Sequence, residues 1–113
     1  MTATFLIKDG IGGVFITGSL TSATVDTFRE QFLTWWQVQP AIHNVVVDLS
    51  GVDFLDSAGL GLLVALLKRV SERGGDLKIA GLQKKVRMVF EITRAFKVFE
   101  IFETTQEAMQ ACG

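Results

Sequence analysis

The sequence predicts an α/β fold in which a mixed β-sheet of about four to five strands packs with about four helices. Short β-prone runs alternate along the chain with segments of helical periodicity. In addition, residues 45–47 are three consecutive valines, and an apolar run without alternation is typical of a parallel strand covered on both faces. No linker or low-complexity tract interrupts the 113 residues, so residues 1–113 are expected to form one domain.

The first elements are predicted to form a β-hairpin. Residues 4–7 and 14–17 are rich in β-branched and aromatic side chains, which favour strands. Between them lie residues 9–10, Asp-Gly, and residues 12–13, Gly-Gly, which suit tight turns. The two strands are therefore expected to be neighbours in the sheet.

A helix is predicted after the hairpin. Thr21 or Ser22 is expected to cap it, because a hydroxyl oxygen accepts hydrogen bonds from the first-turn N–H groups. The helix ends before Pro40, and of its adjacent tryptophans, Trp35 and Trp36, one is expected to face the core and the other solvent or a partner. The predicted buried face, at three- and four-residue steps, consists of Val25, Phe28, Phe32 and Trp35.

The second half of the chain alternates strands and helices. Residues 45–47 form the predicted central strand, and a later helix stops at the glycine pair of residues 74–75. The apolar face of that helix is predicted at Leu60, Leu63, Val64, Leu67 and Val70. The remaining predictions are a strand at Leu77–Ala80, a helix at Lys84–Ile92 burying Val86, Val89 and Phe90, an edge strand at residues 98–102 and a helix at residues 105–111.

Charge and hydropathy argue against several classes of partner. The 11 Lys and Arg residues nearly balance the 12 Asp and Glu residues, so no broad field is available to hold nucleic acid or a charged membrane surface. The longest apolar run, residues 58–67, is shorter than the ~20 residues of a membrane span. The N-terminus lacks the pattern of a signal peptide, so a cytoplasmic protein is expected.

The sequence offers few groups for catalysis, and no enzymatic activity is expected. The only histidine, His43, lies at the opposite end of the central strand from Ser57, so a Ser-His-Asp triad built on the two is geometrically poor. Residues 59–61 read Gly-Leu-Gly, but Val64 replaces the third small residue of a dinucleotide fingerprint. Cys112 is the only cysteine, and no cluster has the spacing of metal ligands.

One serine stands out by its position. Residues 53–61 are predicted to be a loop that leads from the carboxyl end of a strand into a helix, with Ser57 as its cap or first-turn residue. One interpretation is that the hydroxyl only caps the helix. The other is that it accepts a phosphoryl group, because the N–H groups and macrodipole of a helix N-terminus favour added negative charge. The residues alone leave both interpretations open.

Residues 45–61, VVVDLSGVDFLDSAGLG, closely resemble the signature of STAS domains, the anti-sigma-factor antagonists. In that pattern Asp-Ser-(Ser/Ala/Thr)-Gly-Leu follows the central strand, and the resemblance extends over nearly the whole chain. It implies that the unphosphorylated protein binds an anti-sigma factor, which is also a serine kinase, and is released when that kinase phosphorylates Ser57. A PP2C-type phosphatase would reset the switch. The antagonist itself would be non-catalytic and hold no cofactor, because ATP belongs to the partner.

The resemblance also implies roles for the neighbouring residues. Asp56 would shape the acceptor loop, and Gly59 would allow the tight turn into the helix. Many antagonists carry an acidic residue where this chain has Thr21, in a loop that is expected to lie beside Ser57 because both follow carboxyl strand ends. The positions expected to contact the partner are Asp56, Ser57, Ala58, Gly59, Ser19 and Thr21.

Two alternative functions are compatible with the same residues. A STAS subunit can bind its partner without phosphorylation as part of a larger assembly. A small-molecule or nucleotide sensor would use the same strand ends as a ligand site.

Overall fold

A computed structural model describes residues 1–112 and confirms the predicted α/β fold. Five strands form one sheet in the order β1-β2-β3-β4-β5; β1 runs antiparallel to β2, and the remaining neighbours are parallel. The strands are β1 (Thr2–Lys8), β2 (Ile11–Leu20), β3 (Val45–Leu55), β4 (Leu77–Ala80) and β5 (Ile101–Phe102). The helices are α1 (Val25–Gln37), α2 (Ser57–Glu72), α3 (Lys84–Ile92) and α4 (Thr105–Cys112).

The central position of β3 is confirmed by how its valines are buried. Val45 and Val47 belong to the main core, which the sheet shares with α1, α2 and α3. Val46 points to the opposite face and packs with Ala80 and with Ala108 of α4. An apolar run without alternation thus reflects a strand with helices on both sides.

The hairpin is confirmed, but only one of its predicted turns exists. Asp9 and Gly10 both have positive φ, 53° and 78°, as a two-residue turn that matches the twist of the strands requires. Gly12 and Gly13 instead lie inside β2. A β-carbon on Gly12 would approach Trp35 to 2.5 Å, so this glycine makes room for α1 on the sheet rather than for a turn.

The predicted caps of α1 are wrong. The helix begins at Val25, and the cap position is occupied by Thr24 rather than by Thr21 or Ser22. The Thr24 hydroxyl accepts from the Thr21 N–H at 3.0 Å and donates to the Ser19 carbonyl at 3.0 Å. Thr24 makes no capping hydrogen bond with its side chain, and the Thr21 hydroxyl accepts from the Ala23 N–H, so both hydroxyls stabilise the turn that leads from β2 to α1.

In both long helices, α1 and α2, the buried face is rotated about the helix axis relative to the predicted face. Trp36 completes the core face of α1, whereas Trp35 is half-buried against the ring of Phe5, at a centroid distance of 5.2 Å. Both tryptophans therefore pack within the protein. In α2, three of the predicted core residues are only half-buried, namely Leu60, Val64 and Leu67. The buried residues of α2 are Gly59, Leu62, Leu63, Leu66 and Val70.

The last third of the chain follows the prediction except near its edge strand. The bounds of β4 and α3 agree with those predicted, although Val89 is only half-buried. The strand predicted at residues 98–102 is reduced to Ile101–Phe102 because Ala95–Lys97 forms a 3₁₀ turn. Arg94 precedes that turn with a φ of 58°, which reverses the chain direction after α3.

Arg73 joins the end of α2 to the end of α1. Its guanidinium donates to the carbonyls of Trp36 and Gln39, both at 2.8 Å, and of Ile42 at 3.1 Å. It also lies 3.7 Å from the centre of the Trp36 ring. The Trp36 and Gln39 carbonyls also accept backbone N–H groups, from Gln39 and Ile42, and Arg73 adds a charged donor where the regular hydrogen bonds of α1 end.

Replacing Arg73 with alanine is expected to destabilise the fold. The change removes charge-assisted hydrogen bonds and a cation–π contact, which together correspond to about 2–3 kcal/mol. Urea denaturation measures the free energy of unfolding, and Arg69→Ala provides a matched control because Arg69 is an exposed cation in the same last turn of α2. Equal losses for the two variants would contradict the assigned role of Arg73.

Candidate functional site

The candidate site lies where β2 and β3 end side by side. Because the strands are parallel, Ser19 pairs with Phe54 and Leu20 pairs with Leu55. The turn after β2 and the start of α2 therefore meet at the same end of the sheet, which confirms the predicted proximity of the two segments. The predicted loop at residues 53–61 is much shorter than expected, because β3 continues through Leu55 and α2 begins two residues later.

Asp56 is the only residue between β3 and α2, and its carboxylate bonds to both segments. One oxygen, Oδ1, accepts from the Gly59 N–H at 2.9 Å and caps α2. The other, Oδ2, accepts from the Ser22 N–H at 3.1 Å, in the turn after β2. The Gly59 N–H and then the Ser22 N–H lower the pKa of the Asp56 carboxyl below its ordinary value. The charged form of Asp56 thus holds the two segments together.

Ser57 is the first residue of α2, and its side chain is exposed. The sequence predicts Ser57 either at the cap or in the first turn of the helix. Asp56 occupies the cap, so the cap prediction for Ser57 is wrong and the first-turn prediction is confirmed. The Ser57 hydroxyl therefore lies at a helix N-terminus, where the local dipole favours anions, without being needed to cap the helix.

Gly59 is required by close packing. It is buried, and a β-carbon there would lie 2.2 Å from the carbonyl oxygen of Leu20 and 3.2 Å from the Leu55 side chain. Its φ lies outside the left-handed region, so the expected role in a tight turn is replaced by contact of α2 with the end of β2. Ala58 is half-buried and packs against the core. These two positions mainly hold α2 in place.

The segment after β2 contributes polar groups whose hydrogen bonds are mostly internal. The Ser19 hydroxyl donates to Asp53 Oδ1 at 3.1 Å, which places an exposed carboxylate beside the site. Thr21 Oγ1 accepts from the Ala23 N–H at 3.2 Å, so the threonine stabilises its own turn. Position 21 therefore has no carboxylate, while Asp53 places one beside Ser19.

Phe54 is an exposed aromatic residue that the sequence analysis did not identify. Half of its surface is accessible, and it precedes Ser57 by three residues. One extra residue in β3 shifts the register between Gly18 and Ser19, so Val52 and Leu55 point into the core while Phe54 points out. The alternating pattern alone would have placed Phe54 on the same face as Val52.

The other groups considered for chemistry lie elsewhere. The Nδ1 atom of His43 is 3.0 Å from the Arg73 carbonyl, before β3, whereas Ser57 follows β3. The predicted separation of His43 from Ser57 is thereby confirmed. Within residues 1–112, no group of His, Cys, Asp and Glu side chains is placed to hold a metal ion. Over the same residues, no helix has the length and apolar character to cross a membrane.

Comparison with known proteins gives consistent results. The family model described as STAS domain matches residues 3–108. The anti-sigma-B factor antagonist of Staphylococcus epidermidis is 31% identical over 101 residues, covering 89% of this chain and 92% of that protein. An anti-sigma-factor antagonist (STAS) domain protein of Planctomyces limnophilus shares the fold with a TM-score of 0.86 and 25% identity over 97% of each chain. The phosphorylated form of the Bacillus cell fate determinant SpoIIAA gives a TM-score of 0.72 at 18% identity, covering 97% of this chain and 98% of that one.

Two glycines of α2 provide a matched test of the packing. Gly59→Ala places a methyl group against the Leu20 carbonyl and is expected to destabilise the fold by about 1–3 kcal/mol. Gly61→Ala has no atom within 4 Å of the new methyl and should stabilise the fold by up to about 1 kcal/mol, since alanine favours helices. Chemical denaturation of both variants tests this difference. Similar changes for both would contradict the close approach of α2 to β2.

The depressed pKa of Asp56 predicts a pH dependence of stability. Because the folded pKa is lower than the ordinary 3.8, this carboxylate stabilises the fold above pH 3.8, and its contribution is lost as pH falls through the folded pKa. Asp56→Asn keeps only one acceptor oxygen and should lower Tm near neutral pH. Thermal denaturation at a series of pH values should show the difference from wild type shrinking below pH 3.8. A difference that stays constant would contradict the role of the charge.

Proposed function

This chain belongs to the STAS-domain family, and we propose that it is an anti-sigma factor antagonist whose binding to its partner is switched off by phosphorylation of Ser57. The observation that carries the proposal is the position of Ser57, which is exposed at the first residue of α2 while Asp56 caps the helix. Its hydroxyl can be modified without loss of the cap. The names of the relatives support the function, and the phosphorylated form of SpoIIAA supports the modification.

The charges around Ser57 explain how a phosphoryl group would act. A phosphoserine carries about −1.5 to −2 charges near neutral pH. The first-turn N–H groups of α2 offset part of this charge, so the domain stays folded. Asp53 and Asp56 already make these strand ends acidic. The added negative charge therefore affects mainly a partner bound beside Ser57, and affects the fold of the domain little.

The proposed partner is an anti-sigma factor that is also a serine kinase. In the unphosphorylated state it contacts the exposed Ser57, with the half-exposed ring of Phe54 beside it as an apolar anchor. The kinase transfers the terminal phosphoryl group of its own ATP to the Ser57 hydroxyl, and the new anion then faces the remaining nucleotide phosphates. Like charges brought together at an interface cost several kcal/mol, so the complex dissociates.

The antagonist supplies a substrate hydroxyl and a binding surface, and it performs no catalysis in this scheme. A PP2C-type phosphatase removes the phosphoryl group from Ser57 and restores binding. The exposed position of Ser57 allows a second enzyme to reach the modified side chain once the kinase has dissociated. Ser19 and Thr21 border the same surface, where the Ser19 hydroxyl donates to the exposed carboxylate of Asp53.

Variants of Ser57 test the switch. Ser57→Ala leaves the Asp56 cap intact, so its free energy of unfolding should stay within about 0.5 kcal/mol of wild type and its affinity for the anti-sigma factor should be unchanged. Ser57→Asp adds a charge and should bind at least about tenfold more weakly, a loss of about 1.4 kcal/mol. The phosphorylated protein should bind more weakly still. Calorimetric titration of each form against the anti-sigma factor provides the measurement.

A control for charge alone is available in the same helix. Ser71 is exposed near the carboxyl end of α2, and Ser71→Asp should leave the affinity unchanged. Equal affinities for wild type, Ser57→Asp and the phosphorylated protein would overturn the switch. That result would favour a STAS subunit that binds its partner independently of phosphorylation.

A further inference from the structure

The surface formed by α3 and the 3₁₀ turn after it exposes an unusual share of apolar side chains. Core packing by α3 uses Val86 and Phe90. Among residues 1–112, four of the eight large hydrophobic side chains that are exposed lie on this segment, and one of them, Ile92, is 79% exposed. We call this the α3 surface; its apolar members are Met88, Ile92, Phe96 and Val98.

The same segment concentrates positive charge. Five of the 11 Lys and Arg residues lie within residues 84–97, which contain a single acidic residue, Glu91. Within the part of the chain that the structure describes, the ion pairs involve Arg29 and Lys78 and none of these five side chains. The five cations are Lys84, Lys85, Arg87, Arg94 and Lys97.

A groove lies at the end of the α3 surface. It has a volume of about 550 Å³ and is lined by residues 96–101 together with Asp76, which precedes β4. Phe96 and Val98 belong both to this groove and to the α3 surface. The groove is therefore at the amino ends of the parallel strands, whereas Ser57 is at their carboxyl ends.

We propose that the α3 surface is a second docking site, for a protein whose own surface presents carboxylates around an apolar centre. Charge complementarity identifies the partner as acidic, because residues 84–97 carry five cations against one acidic residue and none of the five is in an ion pair with a residue that the structure describes. An apolar centre with a charged rim is the usual anatomy of a protein interface. The proposal is independent of the function proposed for Ser57: the groove lies at the amino ends of the parallel strands, while α3 begins at Lys84, just after the carboxyl end of β4.

Two features favour a protein partner over an anionic membrane. Helices that lie in a membrane interface bury their whole apolar face in the lipid, but α3 already buries Val86 and Phe90 against the sheet and leaves only Met88 and Ile92 of its large apolar side chains exposed. The groove beside Phe96 is open and shallow, and it has charges of both signs, Lys97 against Asp76 and Glu100, so it suits a protein surface better than a uniformly anionic headgroup layer.

Nuclear magnetic resonance titration of the whole protein tests the proposal with a synthetic peptide of leucine and glutamate at helical spacing. Shift changes are expected within residues 84–98 and not at Ser57, and a peptide with glutamine in place of glutamate should bind weakly. Lys84→Glu/Lys85→Glu should reduce the affinity at least about tenfold. The fold should persist in this variant, because both positions are exposed and acidic residues suit the first turn of a helix.

Lys68→Glu/Arg69→Glu makes the same change of charge on the exposed face of α2 and should leave peptide binding unchanged. Ile92→Ser tests the apolar centre and should also weaken binding. The proposal is overturned if the peptide fails to bind, if it perturbs the Ser57 end, or if both charge reversals have equal effects. Binding to phosphatidylglycerol vesicles but not to the peptide would assign the surface to a membrane, and self-association in sedimentation would assign it to a second copy.

Discussion

The Asp56 carboxylate is the contact on which the architecture of the candidate site depends. Its two oxygens accept backbone N–H groups from different segments, Gly59 at the start of α2 and Ser22 after β2. A single ionised side chain thereby satisfies one of the free donors of a helix N-terminus and fixes the neighbouring turn against it. These hydrogen bonds hold the pKa of Asp56 below its ordinary value, so the group remains charged under physiological conditions.

Because the Asp56 side chain caps α2, Ser57 and Gly59 have different roles. Gly59 lets α2 approach the Leu20 carbonyl, which sets the position of the helix on the sheet. Ser57 is exposed at the first helical residue, where the backbone tolerates additional negative charge. A modification of that hydroxyl changes the surface seen by a partner, while the contacts that hold the helix remain in place. This separation allows a covalent switch without unfolding.

The parallel sheet also places Ser57 and the groove beside Phe96 at opposite ends. Parallel strands bring their carboxyl ends together, so the turn after β2 and the start of α2 form one edge that contains Ser57 and Phe54. The groove beside Phe96 lies at the amino ends of the same strands. The acidic side chains near Ser57 and the cations of the α3 surface give the two regions opposite electrostatic character. An acidic partner is therefore attracted by the cations of the α3 surface and repelled by the carboxylates beside Ser57.

Local patterns in the sequence were sufficient for the fold class, the order of elements, the bounds of β4 and α3, and the proximity of Ser57 to the turn after β2. These features follow from periodicity and from the geometry of parallel strands, both of which can be inferred from neighbouring residues. Contacts between distant segments decided the rest. Asp56, rather than Ser57, caps α2 because β3 extends to Leu55 and leaves one residue before the helix. Phe54 is exposed because β3 has an extra residue, Asp53, where Gly18 and Ser19 pair with Val52 and Phe54, and such a mismatch between two strands is absent from the pattern of either strand alone.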